Sequence, residues 1–216
     1  MTELLVKAVL GYLLGSIVGS LLVGKLRGGI DIRHLGSGNA GGTNALRTQG
    51  KWFAFWVMVI DIGKGWLATG YLAGAPIPDI PAAPADWRVW AAAGCGIAVM
   101  LGHVYPVWHG FRGGKGVATL VGAVLGAAPT ALVPVLMIWL VAVILFGFVG
   151  LASILGALTF VVAAATSSGP SRPPLLIFAV LSAILIAYTH RANITRMLAG
   201  TEPRARRLWL LGSGRT

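Results

Sequence analysis

Residues 117–167 form one continuous apolar stretch, VATLVGAVLGAAPTALVPVLMIWLVAVILFGFVGLASILGALTFVVAAATS, in which no side chain is charged. A helix needs about 20 mostly apolar residues to cross the hydrocarbon core of a bilayer, so this stretch is long enough for more than one crossing. Pro129 and Gly147 interrupt the helical pattern within it. They predict three membrane helices, at 117–128, 130–147 and 149–167.

The rest of the chain is also too apolar for a water-soluble domain. Hydrophobic residues make up 56% of the 216 residues and charged residues only 11%, a composition typical of membrane proteins. Further apolar runs predict helices at 4–24, 52–74, 88–108 and 174–190. Gly11, Gly15 and Gly19, spaced four residues apart, predict close helix packing in the first run. We therefore expect an all-α integral membrane protein with seven transmembrane helices, folded as a single membrane-embedded domain over residues 1–216.

The distribution of basic residues predicts the orientation of these helices. Thirteen of the 17 Lys and Arg residues lie in segments 25–51, 109–116 and 191–216, which the positive-inside rule places in the cytoplasm. Segment 75–87 has no Lys or Arg and is predicted to be external. The N-terminus then lies outside and the C-terminus in the cytoplasm, so the number of crossings is odd, and five is the alternative to seven. The basic excess follows membrane topology, which argues against nucleic acid as a partner.

The first cytoplasmic segment contains a glycine-rich sequence, RHLGSGNAGGTNALR at residues 33–47. It formally contains G-x-G-x-x-G, but a dinucleotide site also needs a preceding strand and a βαβ unit, and membrane helices flank this motif. A glycine-rich turn exposes backbone N–H groups, and the Ser, Asn, Thr and Arg side chains add donors that suit a phosphate. The segment is predicted to bind an anion. An ordinary flexible loop with a solvated arginine is the alternative.

The second cytoplasmic segment contains GHVYPVWHGFRGGKGVAT at residues 102–119. It is not a nucleotide P-loop, because only three residues separate Gly110 from Gly114 and a glycine follows Lys115. Gly-Gly-Lys-Gly before a helix nevertheless combines backbone N–H donors, a helix N-terminus and an ammonium, which favours phosphate binding. The two histidines of this segment have an alternative role as interfacial side chains, and we prefer that role for His109.

Ionisable residues within or beside the apolar helices are the remaining candidates. Asp61 and Lys64 lie about one helical turn apart in the second run, and they are expected to face the protein interior as an ion pair or as part of a site. In the third cytoplasmic segment, His190 and Asn193 are also about one turn apart. Glu202 is the only acid in the basic tail, and it is predicted to pair with an arginine.

These polar segments resemble the motifs of the bacterial acyl-phosphate:glycerol-3-phosphate acyltransferases. Three segments match the family motifs in the family order: GSGNAGGTNALR at 36–47, GHVYPVWHGFRGGKGVAT at 102–119 and HRANITRMLAGTE at 190–202. DIGKG at 61–65 resembles a further family element. Ala40, Gly42 and Thr189 stand where the family usually has Pro, Ala and Arg, and none of these departures removes a group needed for the chemistry.

The resemblance implies a reaction and roles for individual residues. The family transfers an acyl group from acyl phosphate to the 1-hydroxyl of glycerol 3-phosphate, giving lysophosphatidic acid and phosphate at the start of phospholipid synthesis. It implies a seven-helix protein of the bacterial cytoplasmic (inner) membrane with active-site loops in the cytoplasm. The catalytic candidates are Ser37, Arg47, Lys115, His190 and Asn193. The substrate- or phosphate-binding candidates are Gly36, Gly38, Asn39, Thr43, Asn44, Lys64, His103, Arg112, Gly113, Gly114, Gly116 and Thr119. Asp61 and Glu202 are expected to be structural.

Both substrates carry phosphates, so the resemblance implies that each glycine-rich loop holds one of them, in either order. Fixed cations offset the repulsion between two anions in a low-dielectric setting. No histidine has an Asp five positions later, which disfavours the acyltransferase class that uses such a His-Asp pair. Because acyl phosphate has a good leaving group, the hydroxyl proton passes either to His190, with Asn193 orienting it, or to a substrate phosphate.

The remaining expectations concern partners and cofactors. No His, Asp or Glu cluster has metal-ligand spacing, and basic residues crowd the predicted site, so we expect no metal and no other cofactor. The expected partners are glycerol 3-phosphate, acyl phosphate and membrane lipid, and the protein is expected to be a monomer. The competing hypothesis is an organic-anion transporter or channel, which would place polar residues near the bilayer midplane. Here the polar residues concentrate at one membrane face, which favours the enzyme.

Overall fold

The computed structural model describes residues 1–205, and every regular element within that range is a helix. The α-helices are α1 (Thr2–Gly15), α2 (Gly19–Leu26), α3 (Gly42–Gln49), α4 (Lys51–Trp66), α5 (Ala85–Arg88), α6 (Ala91–Val104), α7 (Val117–Ala127), α8 (Pro129–Phe146), α9 (Val149–Thr166), α10 (Arg172–Thr189) and α11 (Arg191–Leu198). Short 3₁₀-helices cover Ile32–His34 and Val107–His109, and a π-helix, Leu67–Leu72, continues α4. The prediction of an all-α protein is confirmed for the described residues.

The helices coincide with all seven predicted apolar segments. By length and composition, four of them qualify as membrane spans, namely Ala85–His109, α8, α9 and α10, and the bent pair α1–α2 makes a fifth if it is one span. The other two segments are α4 with its π-helical continuation, which contains charged residues, and α7, an apolar helix of 11 residues. Seven crossings and the orientation of the termini stay predictions.

The chain divides into two compact units, Met1–Pro129 and Thr130–Thr216. In the first unit, glycines bring neighbouring helices into backbone contact. Gly15 of α1 lies against the Val99 carbonyl of α6, and Gly122 of α7 lies against the Ile62 carbonyl of α4, so closely that a Cβ at either glycine would overlap the oxygen. The packing role predicted for Gly15 is confirmed. The single domain expected from the sequence stays a prediction.

The first predicted helix, 4–24, is broken in the structure. α1 ends at Gly15, α2 begins at Gly19, and the pair is bent by 47°. Val18 between them is extended, with φ −84° and ψ 117°. The break leaves backbone groups without helical partners, and charged side chains of α4 bind them. An apolar run in the sequence does not reveal partners of this kind.

The second unit is built around α9 and α10. Phe160 and Phe178 pack edge to face between these helices, with ring centroids 5.4 Å apart. His190 forms the junction between α10 and α11. After α11 the chain returns to the start of α9, where the N–H of Ala205 donates to the Gly147 carbonyl oxygen at 2.8 Å. The third polar segment is therefore fixed against the turn that precedes α9.

Candidate active site

Asn44 holds the first glycine-rich loop, residues 33–47, in shape from its interior. Its Oδ1 accepts a hydrogen bond from the backbone N–H of Ser37 at 2.9 Å. Its Nδ2 lies 3.0 Å from the carbonyl oxygens of Ile32, Leu35 and Asn39. An amide nitrogen has two hydrogens, and three carbonyl groups already compete for them. In the structure Asn44 therefore holds the shape of the loop, which leaves its carboxamide no hydrogen for the predicted phosphate contact.

The loop presents its polar groups between two glycine turns. Gly36 and Gly38 have left-handed φ angles of 57° and 72°, and a Cβ at Gly36 would overlap the Oδ1 of Asn44. Ser37 lies between these turns and is exposed. The remaining predicted donors follow on α3 or just before it: Asn39, Thr43 and Arg47. The first turn of α3 thus adds backbone N–H groups to these side chains, as an anion site requires.

Arg47 is the cation of this first loop. It lies one turn after Thr43 on α3, so the two side chains share a face of the helix. Its side chain is exposed, and no acidic partner contacts it within residues 1–205. Its guanidinium fork is therefore available to a phosphate.

The second glycine-rich loop, residues 105–116 between α6 and α7, folds back onto the end of α6. The N–H groups of Gly113 and Gly114 donate to carbonyl oxygens of the last turn of that helix at 3.1 and 3.2 Å. A Cβ at Gly114 would overlap the Nε2 of His103, so this ring lies directly against the loop. Gly116, with a left-handed φ of 85°, immediately precedes α7 as its N-cap. The half-buried Lys115 precedes it, which places an ammonium next to a helix N-terminus as predicted.

Arg33 joins the two loops. Its Nε and Nη2 donate to the Asp31 carboxylate at 2.6 to 3.0 Å, and its Nη1 donates to the carbonyl oxygens of His109 and Arg112, both at 3.0 Å. Hydrogen bonding to Arg33 lowers the pKa of Asp31 below its ordinary value, and Asp31 raises the pKa of Arg33. Neither residue was among the predicted site residues. The first two predicted segments are thus in direct contact.

A buried cluster of charged and polar side chains lies next to the second loop. Asp61, Lys64 and His103 are 1%, 3% and 2% exposed. The Nζ of Lys64 lies 2.9 Å from the Oδ1 of Asp61 and 2.8 Å from the Nδ1 of His103. It also donates to the carbonyl oxygens of Gly15 and Ile17 at 3.0 and 2.7 Å. The predicted ion pair is present. The oxygens of Asp61, Gly15 and Ile17 match the three ammonium hydrogens, so none remains for the predicted substrate contact.

The third predicted segment lies in the second unit. The Nδ1 of His190 is 2.8 Å from the Ile186 carbonyl oxygen. A carbonyl only accepts, so Nδ1 carries the hydrogen, and Nε2 is the basic nitrogen of the neutral ring. Glu202 accepts from Asn193 at 2.6 Å and from the Nε of Arg196 at 2.7 Å. The predicted pairing of Glu202 with an arginine is confirmed, and the pair holds the buried Asn193 side chain in place.

Two further predicted residues are Arg112, in the second loop, and Thr119, in the first turn of α7. Arg112 is exposed, and only its carbonyl oxygen takes part in the link to Arg33. Thr119 is fully buried in the first turn of α7, and its hydroxyl has no hydrogen-bond partner within the part of the chain that the structure describes. Their predicted contacts with substrate stay predictions.

The fold and the site define a class: an all-helical membrane protein whose two glycine-rich loops, held in contact, suit phosphorylated ligands. A family model described as glycerol-3-phosphate acyltransferase matches residues 5–200. The chain belongs to this family, so the resemblance of its three motifs is confirmed.

Individual relatives match over nearly their whole length. The chain is 42% identical to the glycerol-3-phosphate acyltransferase of Symbiobacterium thermophilum, covering 94% of this chain and 96% of the relative. It is 40% identical to that of Chlorobaculum tepidum, covering 91% and 94%. Among solved structures, it resembles the integral membrane glycerol 3-phosphate acyltransferase PlsY in its glycerol 3-phosphate form. That match has a TM-score of 0.82 and 34% identity, and it covers 93% of this chain and 94% of PlsY. The lysophosphatidic acid form of PlsY gives a TM-score of 0.79 at 33% identity and the same coverage.

Proposed function

We propose that this protein transfers an acyl group from acyl phosphate to the 1-hydroxyl of glycerol 3-phosphate. The products are lysophosphatidic acid and inorganic phosphate, and the reaction is the first acylation step of phospholipid synthesis. The contact between the two glycine-rich loops carries the proposal, because two phosphorylated substrates need two anion sites within reacting distance. Family membership and the two ligand forms of the related PlsY support the acceptor and the product.

Each loop holds one phosphate. The first loop supplies the side chains of Ser37, Asn39, Thr43 and Arg47 on the backbone turns at Gly36 and Gly38. The second is the loop at residues 113–116, whose fold against α6 places the ammonium of Lys115 at the start of α7, with Arg112, His103 and Thr119 beside it. The cations reduce the repulsion between the two phosphates as they approach, an effect that is larger where water is excluded.

The chemical step is a displacement at the acyl carbonyl carbon. The 1-hydroxyl oxygen of glycerol 3-phosphate forms the new ester bond, and the bond between the acyl carbon and the phosphate oxygen breaks. Inorganic phosphate leaves with the electron pair. We propose His190 as the acceptor of the hydroxyl proton, with Asn193 orienting it. A substrate phosphate is the alternative acceptor.

The membrane arrangement follows from the charge distribution. We propose seven crossings in the bacterial cytoplasmic membrane, with the N-terminus outside, the C-terminus inside and both glycine-rich loops at the cytoplasmic face. Because 13 of the 17 basic residues lie in three segments on that face, phosphorylated substrates from the cytoplasm meet a positive surface. The acyl tail lies beside the apolar helices, and the protein acts as a monomer.

Purified protein in detergent, supplied with acyl phosphate and radiolabelled glycerol 3-phosphate, tests the reaction. We expect labelled lysophosphatidic acid and an equal amount of phosphate. Arg47→Ala and Lys115→Ala are expected to weaken or abolish turnover. Arg27→Ala, an exposed arginine outside both loops, and His109→Ala are the matched controls and should be mild. Uptake of glycerol 3-phosphate into proteoliposomes without product would favour the transporter, and a fully active Arg47→Ala protein would refute the site assignment.

A further inference from the structure

The break between α1 and α2 leaves polar backbone groups inside the first unit. The carbonyl group of Gly15 ends α1, that of Ile17 lies within the break, and the N–H of Gly19 begins α2. Helix ends always leave such groups without intrahelical partners, and in a membrane protein they must be satisfied within the protein. The break is stable only if other parts of the chain provide these partners.

Asp61 and Lys64 provide them, with the sign of charge that each helix end requires. Lys64 donates to the carbonyl oxygens of Gly15 and Ile17, and the Oδ1 of Asp61 accepts from the N–H of Gly19 at 3.0 Å. The C-terminal end of a helix carries partial negative charge and the N-terminal end partial positive charge. Because the ammonium and the carboxylate are 2.9 Å apart, neither buried charge lacks a counter-ion.

The same broken segment is bonded to both glycine-rich loops. The Oγ of Ser16, within the break, accepts from the N–H of Val107 in the second loop at 3.3 Å. The Oγ of Ser20, in the first turn of α2, donates to the carbonyl oxygen of Ala40 in the first loop at 2.9 Å. A shift of α1 relative to α2 therefore moves one loop relative to the other.

We propose that Asp61 and Lys64 are positioning residues for the acyl transfer: by fixing the break between α1 and α2, they set the separation of the two phosphate-binding loops. This inference rests on the proposed function, and it assigns the pair no contact with substrate. Each loop binds its own phosphate through its own groups, whereas reaction requires both phosphates in register. Loosening the break therefore lowers kcat far more than it raises either KM.

The chain contains a matched control for this pair. Glu3 and Lys7 form a second buried ion pair in the first unit, 2.7 Å apart and 4% and 3% exposed. They bind backbone groups of segment 73–83 and neither glycine-rich loop. The test variant is Asp61→Asn/Lys64→Met, and the control is Glu3→Gln/Lys7→Met. Both remove two opposite charges together, so no lone charge stays buried.

Steady-state kinetics with both substrates separate positioning from general stability. We expect Asp61→Asn/Lys64→Met to lower kcat about 10- to 100-fold, with both KM values within about 3-fold of wild type. Displacing one loop by about 1 Å misplaces the reacting groups, and a misplacement of this size can lower the rate by about 100-fold. The control should keep kcat within about 2-fold, because its pair does not touch the loops. Equal losses of kcat in the two double variants, an unchanged kcat in the test variant, or an effect confined to KM would overturn the proposal.

Smaller substitutions keep the proposal testable if the test variant does not fold. Ser16→Ala and Ser20→Ala each remove one oxygen and thereby one bond between the break and a loop. Combined, they are expected to lower kcat by about 3- to 10-fold, the size of one or two weak hydrogen bonds, with both KM values near wild type. An unchanged kcat in this double variant would overturn the proposal.

A distance measurement tests the structural claim without turnover. In a Cys95→Ala background, which removes the only native cysteine, spin labels are attached at Leu46→Cys on α3 and Trp108→Cys in the second loop, both exposed positions. The distance distribution should broaden or shift in the Asp61/Lys64 variant and stay as in wild type in the Glu3/Lys7 control. An unchanged distribution in both would overturn the inference. A wild-type protein without acyltransferase activity would instead refute the proposed function and leave this distance result intact.

Discussion

Replacing Arg33 by lysine tests whether the link between the two loops matters for turnover. The guanidinium contacts the Asp31 carboxylate and, through Nη1, the carbonyl oxygens of His109 and Arg112, both at 3.0 Å. A lysine keeps the positive charge and a pairing with Asp31. Its compact ammonium cannot reproduce the planar fork that reaches the carboxylate and both carbonyl groups at once. Arg33→Lys therefore isolates the two bonds to the second loop.

The size of the effect follows from those two bonds. Each contributes about 0.5–1.5 kcal/mol net, so the link weakens by about 1–3 kcal/mol. If the whole loss appears in the transition state, kcat/KM falls by a factor of about 5–150. The Arg33 side chain is 25% exposed, so water replaces part of the lost bonding. We therefore expect a fall of about 5- to 20-fold in kcat/KM, near the lower end of that range.

The assay is kcat/KM for glycerol 3-phosphate at saturating acyl phosphate, with thermal unfolding in detergent as the check on folding. Arg27→Lys is the matched control, because Arg27 is exposed and its side chain makes no hydrogen bond within residues 1–205. We expect this control to retain wild-type kinetics. If Arg33→Lys and Arg33→Ala both keep full kcat/KM, the link between the loops has no catalytic role and the reasoning is wrong.

Three further predictions concern the loop, the packing and the pH dependence. Asn44→Ala removes the bonds that shape the first loop, about 2–3 kcal/mol, and should lower kcat/KM at least about 10-fold; a loss under about 2-fold would contradict this role. Gly122→Ala places a Cβ on an α4 carbonyl and should lower the free energy of unfolding by about 1–3 kcal/mol, measured as a lower Tm. A Cβ at Gly63 meets open space, so Gly63→Ala should leave Tm unchanged. Since Arg33 lowers the pKa of Asp31, wild type should be more stable than Asp31→Asn at neutral pH. The difference in stability should shrink as the pH falls below 3.8, the ordinary carboxyl pKa, and vanish below the lowered pKa of Asp31. A difference that persists at that pH would contradict the stabilising role of the Asp31–Arg33 pair.

The positions of the helices could be predicted because the signals are local. Pro129 begins α8, and Gly147 lies between α8 and α9, as their conformational preferences require. The break at residues 16–18 could not be predicted, because the apolar run 4–24 contains no proline and its stabilising partner, Lys64, lies 49 residues from Gly15. Only the folded chain brings that ammonium to the carbonyl groups that it binds.

The candidate site was predictable in its residue types and not in its internal bonding. Glycine-rich turns with cations favour anion binding, so both loops could be predicted as phosphate sites, and that binding stays a prediction. The link through Arg33 was missed because its acceptors are backbone carbonyl groups 76 and 79 residues away, and any residue type supplies a carbonyl. Asn44 was assigned to phosphate because an exposed and a buried carboxamide have the same sequence signature. Its three carbonyl neighbours show the difference.

The central claim is that two separate loops hold two different phosphorylated substrates. Bisubstrate kinetics of Arg47→Ala and Lys115→Ala, with each substrate varied at several fixed concentrations of the other, test it most directly. We predict that each variant raises KM chiefly for one substrate and that the two variants affect different substrates. Wild-type kinetics in either variant, or a rise in KM for the same substrate in both, would contradict the claim.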